Sequence, residues 1–325
     1  MKTKEENKAV NIDLAQGPVN LAAIDIGSNA ARLLIKRFDD DAPEGERIQK
    51  VMFIRVPLRL GKDVFALDKV SKERERMMLH MLKGFKQFMK LNRVVRYRAC
   101  ATSAMRDAEN GKKILRKIEK ETGISLDIIK GEEEAHLLYN NLVEKTDSNM
   151  GNFAYIDVGG GSTEVSLIHD GQLAESHSYN IGTLRCLSDK VKPETIKQFE
   201  TELRDFGLKY DNIRIIGSGG NINRLYKLTR NGNATAKKQQ LSVVDLRHMY
   251  EMLKSLSVEE RIISFNLKED RADVIIPAAK IFLKAAEYLK CDTILVPNIS
   301  LADSIVDGLY RDLKESRQVV QPALD

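Results

Sequence analysis

One local pattern occurs twice in the chain, and this repetition constrains the fold more than any other feature. The segment AAIDIGSNAARLLI begins at Ala22 and AYIDVGGGSTEVSLI begins at Ala154, so that Asp25 and Asp157 coincide at an offset of 132 residues. Each copy is a strand-like apolar run, an aspartate, a glycine turn and a second strand-like run. Solenoid repeats recur at much shorter intervals, roughly every 20–50 residues. The pattern therefore predicts a duplicated domain in which each half opens with a hairpin.

The two turns have the composition of anion-binding hairpins. A Walker loop needs a lysine after its glycines, and a Rossmann fingerprint leads into a helix, whereas the alternating STEVSLI predicts a strand. Backbone N–H groups and hydroxyls at such a tip can hold an anion, and the aspartate before it can hold a cation. A pair of these hairpins would clamp a phosphate chain from both sides. For either turn alone, a tight turn with a satisfied aspartate remains the alternative.

Composition excludes several classes of protein. The 325 residues leave room for two domains, and 42% hydrophobic with 30% charged residues is ordinary for a globular chain. A net charge of +5 favours anionic ligands but is far from the footprint of a nucleic-acid binder, and no apolar run suits a signal peptide or a membrane span. Scattered Cys100, Cys186 and Cys291 predict reduced thiols in a cytoplasmic protein. Residues 1–17 are predicted to be a flexible leader.

Local patterns predict several elements that would flank the hairpins. A helix over SKERERMMLHMLKGFKQFMKL and a second over PETIKQFETELRDFG each carry one apolar stripe, and the stripe of the second helix is predicted to be buried. The stripes consist of Met78, Leu82, Phe85 and Met89 in the first helix and of Ile196, Phe199, Leu203 and Phe206 in the second. Pro193 stands near the start of the second helix, where proline is favoured. A further helix, GEEEAHLLYNNLVEK, opens at Gly131, and HDG predicts a hairpin turn.

The motifs together resemble one protein family. Hairpins with a leading aspartate in duplicated halves resemble the superfamily of actin, the sugar kinases and Hsp70. Within it, IDIGSNAARLLI, IDVGGGSTEVSLI, ATSAMRDAENG, IIKGEEEAHLLY, IGSGGNINRL and RADVIIPAAKIF are similar, in order, to motifs of the Ppx/GppA phosphatases. The resemblance runs from about residue 20 to 312. It implies an α/β, duplicated actin-like (ribonuclease H-like) fold of two domains with the active site in the cleft between them.

The resemblance also implies a role for particular residues. Glu134 would be catalytic and direct the attacking water, although the acids of GEEEA could instead merely complement a helix N-terminus. Asp25, Asp157 and Glu164 would hold Mg²⁺, the implied cofactor, directly or through water. The implied phosphate-binding residues are Gly27, Ser28, Asn29, Arg106, Gly159, Gly160, Gly161, Ser162, Gly217, Gly219 and Gly220. Two positions depart from the family pattern, since Ala30 stands where serine is common and Asp303 where arginine is.

A basic tract follows the third glycine loop. It contains Arg224, Lys227, Arg230, Lys237 and Lys238. A solvated surface is the ordinary interpretation of such a run, but lysines and arginines could also follow a polyphosphate chain as they follow a nucleic-acid backbone.

The predicted function is that of an exopolyphosphatase, a phosphoric anhydride hydrolase that releases orthophosphate from inorganic polyphosphate. Hydrolysis of guanosine pentaphosphate (pppGpp), an ATP-dependent kinase and a non-catalytic polyphosphate sensor remain alternatives. The expected partners are these phosphate compounds, with no nucleic acid or membrane, and family members often form homodimers. The predicted domains are 18–130 and 131–299, with the C-terminal helix of about 300–318 packing back on the first.

Overall fold

The computed structural model describes residues 17–145, 151–230, 239–297 and 299–320, and these ranges contain two β-sheets with helices around them. The predicted leader, 1–17, lies outside the described residues apart from Gly17, as do Lys237 and Lys238 of the basic tract. The predicted domain boundaries stay a prediction.

The first sheet is built from the first third of the chain. Its elements in order are β1 (Val19–Ile26), β2 (Ala31–Phe38), β3 (Ile48–Val56), α1 (Leu60–Leu67), α2 (Lys72–Leu91), β4 (Val94–Ala101), α3 (Ser103–Asp107), α4 (Gly111–Thr122) and β5 (Asp127–Ile128).

The rest of the chain supplies the second sheet and most of the helices. Its elements are α5 (Gly131–Lys145), β6 (Asn152–Val158), β7 (Thr163–His169), β8 (Gln172–Tyr179), α6 (Thr183–Leu187), α7 (Pro193–Lys209), β9 (Arg214–Ser218), α8 (Gly220–Thr229), β10 (Gln240–Ser242), α9 (Val243–Lys254), α10 (Val258–Phe265), α11 (Glu269–Ala272), α12 (Ile275–Tyr288), β11 (Thr293–Leu295) and α13 (Leu301–Val320).

The two sheets share one topology. Their orders are β3-β2-β1-β4-β5 and β8-β7-β6-β9-β11-β10. In each, an antiparallel hairpin (β1–β2 or β6–β7) has its third strand outside and a parallel strand (β4 or β9) on its inner side. The predicted duplication of an α/β unit is therefore confirmed. The aspartates that precede the turns occupy equivalent places, because Asp25 pairs in register with Arg32 and Asp157 with Glu164.

Two of the local predictions are confirmed in detail. Helix α2 begins after Ser71, whose side chain accepts a hydrogen bond from the backbone N–H of Arg74, and its predicted apolar stripe is buried. The turn between β7 and β8 places Asp170 and Gly171 at positive φ, +46° and +75°. Two successive residues of positive φ are what a type I′ hairpin turn requires.

The apolar stripe of α7 extends less far than its periodicity predicts. Phe199, Leu203 and Phe206 are buried in the core of the second half, but Ile196 is 41% exposed. The prediction that Ile196 is buried was wrong, because periodicity identifies the face of a helix but not how much of that face its neighbours cover.

The long last helix, α13, lies against the first sheet. Its Leu301, Ile305 and Leu309 share an apolar cluster with Leu21 of β1 and Phe38 of β2. This cluster also contains Tyr155 and Ile216 of the second sheet, so apolar packing is continuous between the halves. None of the helices in the described part of the chain is long and apolar enough to cross a bilayer.

Candidate active site

The tips of the two equivalent hairpins meet in a cavity of about 630 Å³ between the sheets. Most of the residues predicted to form the site line this cavity. They are Asp25, Gly27, Ser28, Asn29, Glu134, Asp157, Gly159, Gly160, Gly161, Ser162, Glu164, Gly219 and Gly220. Residues from four separate motifs, the outermost more than 190 positions apart in the chain, are thus brought together in one place.

Both hairpin tips close in the same way. The N–H of Gly27 donates to the carbonyl of Ala30 at 3.1 Å, and the N–H of Gly159 donates to the carbonyl of Ser162 at 3.0 Å. A Cβ on Gly160 would lie 2.9 Å from Cβ of Ser28, so the tips approach each other too closely for a larger residue. Within the described ranges, Ser28 Oγ is buried without a hydrogen-bond partner. Hydroxyl and backbone donors gathered in this way suit an anion.

Three carboxylates converge beside the hairpins. Glu134 is supplied by the first turn of α5, Asp157 by the end of β6 and Glu164 by the start of β7. One carboxylate oxygen of each lies within 4.8 Å of the others. Asp157 and Glu164 are neighbours because they are directly paired across the β6–β7 ladder.

Burial and mutual repulsion oppose the ionisation of all three groups. Burial is the largest cause of the raised pKa of Glu134, and the charges of Glu164, Asp157 and Asp25 raise it further. Burial, with the charge of Asp157, raises the pKa of Glu164 to about 7. The pKa of Asp157 is raised as well, again mainly by burial. Perturbation of this kind in a cavity is typical of functional sites.

The same three residues fit a divalent cation. Oxygen ligands are those that Mg²⁺ prefers, and it usually takes one or two carboxylates together with phosphate oxygens. Among the described residues, Glu134 Oε2 and Asp157 Oδ1 are buried without a hydrogen-bond partner. Buried carboxylate oxygens are costly unless they are paired, and a bound cation would pair them.

Asp25 does not belong to this group. Its carboxylate is bound by the guanidinium of Arg32, directly opposite it on β2. Arg32 was not identified as a site residue from the sequence, although it also lines the cavity. The offset of 132 residues aligns Arg32 with Glu164, so a comparison of the two hairpins beyond the aspartates would have found it. The first hairpin therefore carries an ion pair where the second carries two acids.

Two predicted phosphate-binding residues do not line the cavity. A Cβ on Gly217 would lie about 3 Å from Ile294, Ile222 and Phe282, which places Gly217 in the apolar core. The absence of a side chain at Gly217 allows close packing under the third glycine loop. The guanidinium of Arg106 donates to the carbonyl of Ile129 at 3.0 Å. Its positive charge partly offsets the rise in the pKa of Glu134 and of Glu164.

Part of the cavity lining is strongly basic, and this part is called the basic wall. Its cationic residues are Lys50, Arg55, Arg224, Lys227, Lys268 and Arg271. Burial, together with the neighbouring charge of Arg55, lowers the pKa of Arg271 to about 10. Of the predicted basic tract, Arg224 and Lys227 line the cavity and Arg230 stacks on Tyr226 instead. Lys50, Arg55, Lys268 and Arg271 were not predicted as site residues, because they lie in β3 and in or next to α11, far from any glycine motif.

Asp303, which departs from the family pattern, is neutralised within the protein. Its Oδ1 lies 3.0 Å from the ammonium of buried Lys36, and its Oδ2 accepts from the hydroxyl of Ser300 at 2.6 Å. Burial raises the pKa of this carboxyl, but Lys36 and Ser300 outweigh it, so the pKa lies below its ordinary value. An acid at the cavity wall is thereby prevented from adding much negative potential.

Comparisons with known sequences point to one family. A sequence model of the Ppx/GppA phosphatase family matches residues 35–312. The bifunctional 3-dehydroquinate synthase/phosphatase of Fusobacterium nucleatum is 26% identical over 339 residues, covering 95% of this chain and 49% of that protein. Exopolyphosphatase 1 of Mycobacterium tuberculosis is 30% identical over 148 residues, covering 46% of this chain and 42% of that protein. The chain spans about half the length of the curated relatives it matches.

A solved structure has the same fold. The crystal structure of the Aquifex aeolicus member of the Ppx/GppA protein family is 25% identical and aligns with a TM-score of 0.71. The alignment covers 91% of this chain and 99% of that one. The fold that the sequence motifs implied is confirmed.

Proposed function

Because the chain belongs to the Ppx/GppA phosphatase family, whose phosphatases are hydrolases, we propose that it is a Mg²⁺-dependent exopolyphosphatase. It would remove the terminal phosphate of inorganic polyphosphate and release orthophosphate. The observation that carries this proposal is a single cavity lined by converging carboxylates, by two glycine hairpins and by several lysines and arginines.

A polyphosphate chain is complementary to the basic residues of this cavity. It carries roughly one negative charge per phosphate, so cations spaced along a wall can follow it as they follow a nucleic-acid backbone. The terminal phosphate would lie at the hairpin tips, where backbone N–H groups and the Ser28 hydroxyl are available. The next phosphates would lie near Arg55 and Arg271 on the basic wall.

The chain's own residues would then carry the reaction. Glu134 would orient a water in line with the terminal bridging bond and accept its proton as the water oxygen attacks phosphorus. The bond from phosphorus to the bridging oxygen breaks, and that oxygen leaves with the shortened chain. A Mg²⁺ ion held by Asp157 and Glu164 would supply positive charge to the phosphate oxygens and favour the ionised form of Glu134. Positioning and electrostatics would supply most of the rate enhancement, as in phosphoryl transfer generally.

Phe53 favours a second candidate, hydrolysis of guanosine pentaphosphate. It lies on β3, lines the cavity among the basic residues and is 49% exposed. An aromatic ring in such a position can stack on a nucleobase. Polyphosphate offers this ring no partner, whereas the guanine of pppGpp would.

The test is release of orthophosphate, with Mg²⁺, from tripolyphosphate, from longer polyphosphates and from pppGpp. We expect Glu134→Gln to slow release by about 10²–10⁴-fold, the usual contribution of a general base. Glu132→Gln is the matched control, since Glu132 lies on the same helical turn but is exposed, and its rate should stay within about twofold of wild type.

Each outcome of this assay selects one function. Faster release from polyphosphate supports the exopolyphosphatase, and faster release from pppGpp supports the second candidate. Phosphate transfer from ATP to an acceptor, without hydrolysis of either substrate, would point to a kinase. Binding without turnover would point to a sensor and would contradict both hydrolase proposals.

A further inference from the structure

A serine on β8 contacts the carboxylate group from outside the cavity lining. Ser178 Oγ donates to Glu164 Oε1 at 2.9 Å. The two residues are directly opposite each other in the β7–β8 ladder, so their side chains lie on the same face of the sheet. Ser178 is half-buried and does not line the cavity, and it is therefore placed to act on Glu164 rather than on a ligand.

The helix that carries Glu134 is fitted to this serine. Gly131 opens α5, and a Cβ on it would lie 2.1 Å from Ser178 Oγ and 2.2 Å from Ser178 Cβ. Only a glycine allows the helix to start at this distance. Ser178 thus lies between the helix that supplies Glu134 and the strand that supplies Glu164.

Glu164 needs such support, because it is a glutamate with three rotatable side-chain bonds in a buried, repulsive environment. The charges of Glu134 and Asp157 oppose that of Glu164, whereas hydrogen bonds from the hydroxyls of Ser162 and Ser178 favour its ionised carboxylate. A hydroxyl that binds one carboxylate oxygen fixes the orientation of the other. Partners of this kind orient metal ligands, and their removal typically costs about 10–100-fold in metal affinity.

We propose that Ser178 is a positioning residue, whose hydroxyl holds Glu164 in the orientation in which it binds one divalent cation together with Asp157, beside Glu134, and that Gly131 makes room for it. This inference rests on the cation site of the proposed phosphatase. It concerns the binding of the cation alone, and so it can be tested without substrate.

The matched control is Ser176, on the same strand and the same face. Its hydroxyl lies 3.4 Å from that of Ser166, and in the described part of the chain it has no hydrogen bond to an acid of the group. Ser178→Cys adds a second comparison, because the cysteine side chain has the shape of serine but its thiol is only a weak hydrogen-bond donor.

The experiment is titration of the metal-free full chain with Mn²⁺, followed by the loss of the electron paramagnetic resonance signal of free Mn²⁺. Mn²⁺ takes the same oxygen ligands as Mg²⁺. We expect Ser178→Ala and Ser178→Cys to weaken Mn²⁺ binding by about tenfold or more, and Ser176→Ala to stay within about twofold of wild type. Thermal unfolding of the same samples identifies any variant that is not folded. If Ser178→Ala is not folded, Mn²⁺ binding by Ser178→Cys tests the proposal instead.

Several outcomes would overturn the proposal. These are Mn²⁺ binding by folded Ser178→Ala that equals wild type, wild-type binding by Ser178→Cys, an equal loss in Ser176→Ala, or no binding by wild type. The proposed function fails separately. If wild type binds Mn²⁺ and the variants differ as expected, but no orthophosphate is released from any substrate, the role of Ser178 stands and the hydrolase does not.

Discussion

Glu164, the proposed cation ligand, lowers the stability of the metal-free protein when it is ionised. Its folded pKa is about 7, against 4.5 for an ordinary glutamate, so the folded state binds its proton more tightly than the unfolded state does. Between these two values the folded protein holds more protons, and its stability falls as pH rises. Above pH 7 the full cost remains, and at about 1.4 kcal/mol per pKa unit it amounts to roughly 3 kcal/mol.

We therefore predict that Glu164→Gln stabilises the metal-free protein at pH 8 and changes its stability little near pH 4.5. Urea unfolding in EDTA at both pH values measures the difference, with exposed Glu132→Gln as the control. Adding Mg²⁺ should stabilise wild type at pH 8 and stabilise the variant less, because a ligand that binds only the folded state adds to its stability. If Glu164→Gln stabilised the metal-free protein equally at both pH values, the effect would not arise from ionisation of Glu164.

At the level of residues, the sequence predicted the acids but not their cationic partners. Glu134, Asp157 and Glu164 stand in recognisable motifs, and the structure brings them together. Arg32 was missed although it stands only seven residues from Asp25, because its significance depends on the register of a hairpin rather than on a motif. A one-residue change in register would have sent its side chain to the other face of the sheet.

Among the elements, the second hairpin is held by a loop that the sequence analysis did not single out. Gly182 lies before α6, and the N–H groups of Thr183 and Leu184 donate to the carbonyls of Gly159 and Gly160 at 3.0 and 2.8 Å. A Cβ on Gly182 would lie 2.3 Å from the carbonyl carbon of Gly161, which is backbone and cannot rotate away. The shape of the second hairpin tip, the proposed phosphate site, therefore depends on this neighbouring glycine.

We predict that Gly182→Ala destabilises the protein by about 1–3 kcal/mol, the usual cost of overpacking, and weakens phosphate binding with it. Gly84→Ala in α2 is the control, since nothing lies within 4 Å of its added Cβ. In a helix interior that change should be neutral or stabilise by up to roughly 1 kcal/mol. Urea unfolding and competition by orthophosphate measure both effects. Wild-type stability of Gly182→Ala would contradict the close approach described here.

Element prediction succeeded where the cause is local. The hairpin turn at Asp170 and Gly171 and helix α2 depend on adjacent residues, and the structure confirms both predicted elements. The burial of Ile196 was predicted wrongly, and the close packing around Gly217 was not predicted, because both depend on distant neighbours. A glycine after a strand is compatible with a ligand or with close packing, and only the positions of Ile294 and Phe282 decide between them.

The whole molecule depends on contacts that no local pattern contains. Arg55 pairs with Asp270 and Arg59 with Asp273, each at 2.5 Å, and Asn29 donates to the carbonyl of Asp270 at 3.0 Å. These pairs join residues more than 200 positions apart, on the two sides of the cavity. Duplication was predictable because each hairpin is local, whereas the joining of β3 to α11 across the cleft was not.

Asp270 therefore holds the cleft together by neutralising a basic wall. Arg55 and Arg271 line the cavity, and the charge of Arg55 already lowers the pKa of Arg271, so removing the negative charge of Asp270 leaves two cations facing each other. Breaking one partner of a buried ion pair typically costs about 3–5 kcal/mol. We predict that Asp270→Asn lowers the melting temperature and increases the radius of gyration in small-angle X-ray scattering. Exposed Glu287→Gln, which breaks only a surface pair with Lys284, should change neither.

Added tripolyphosphate distinguishes the loss of the negative charge of Asp270 from a change in the packing of the cleft. If the wall binds phosphates, added tripolyphosphate should supply the negative charge that Asp270→Asn lacks, and it should restore compactness and melting temperature toward wild type. The rescue should weaken as salt is added, because exposed charges are screened over about 10 Å at 0.1 M ionic strength. A variant that stays expanded with saturating tripolyphosphate would show that Asp270 acts through packing alone. A variant as compact and stable as wild type without it would show that the cleft is held closed by the continuous apolar cluster of α13, β1 and β6 rather than by charge.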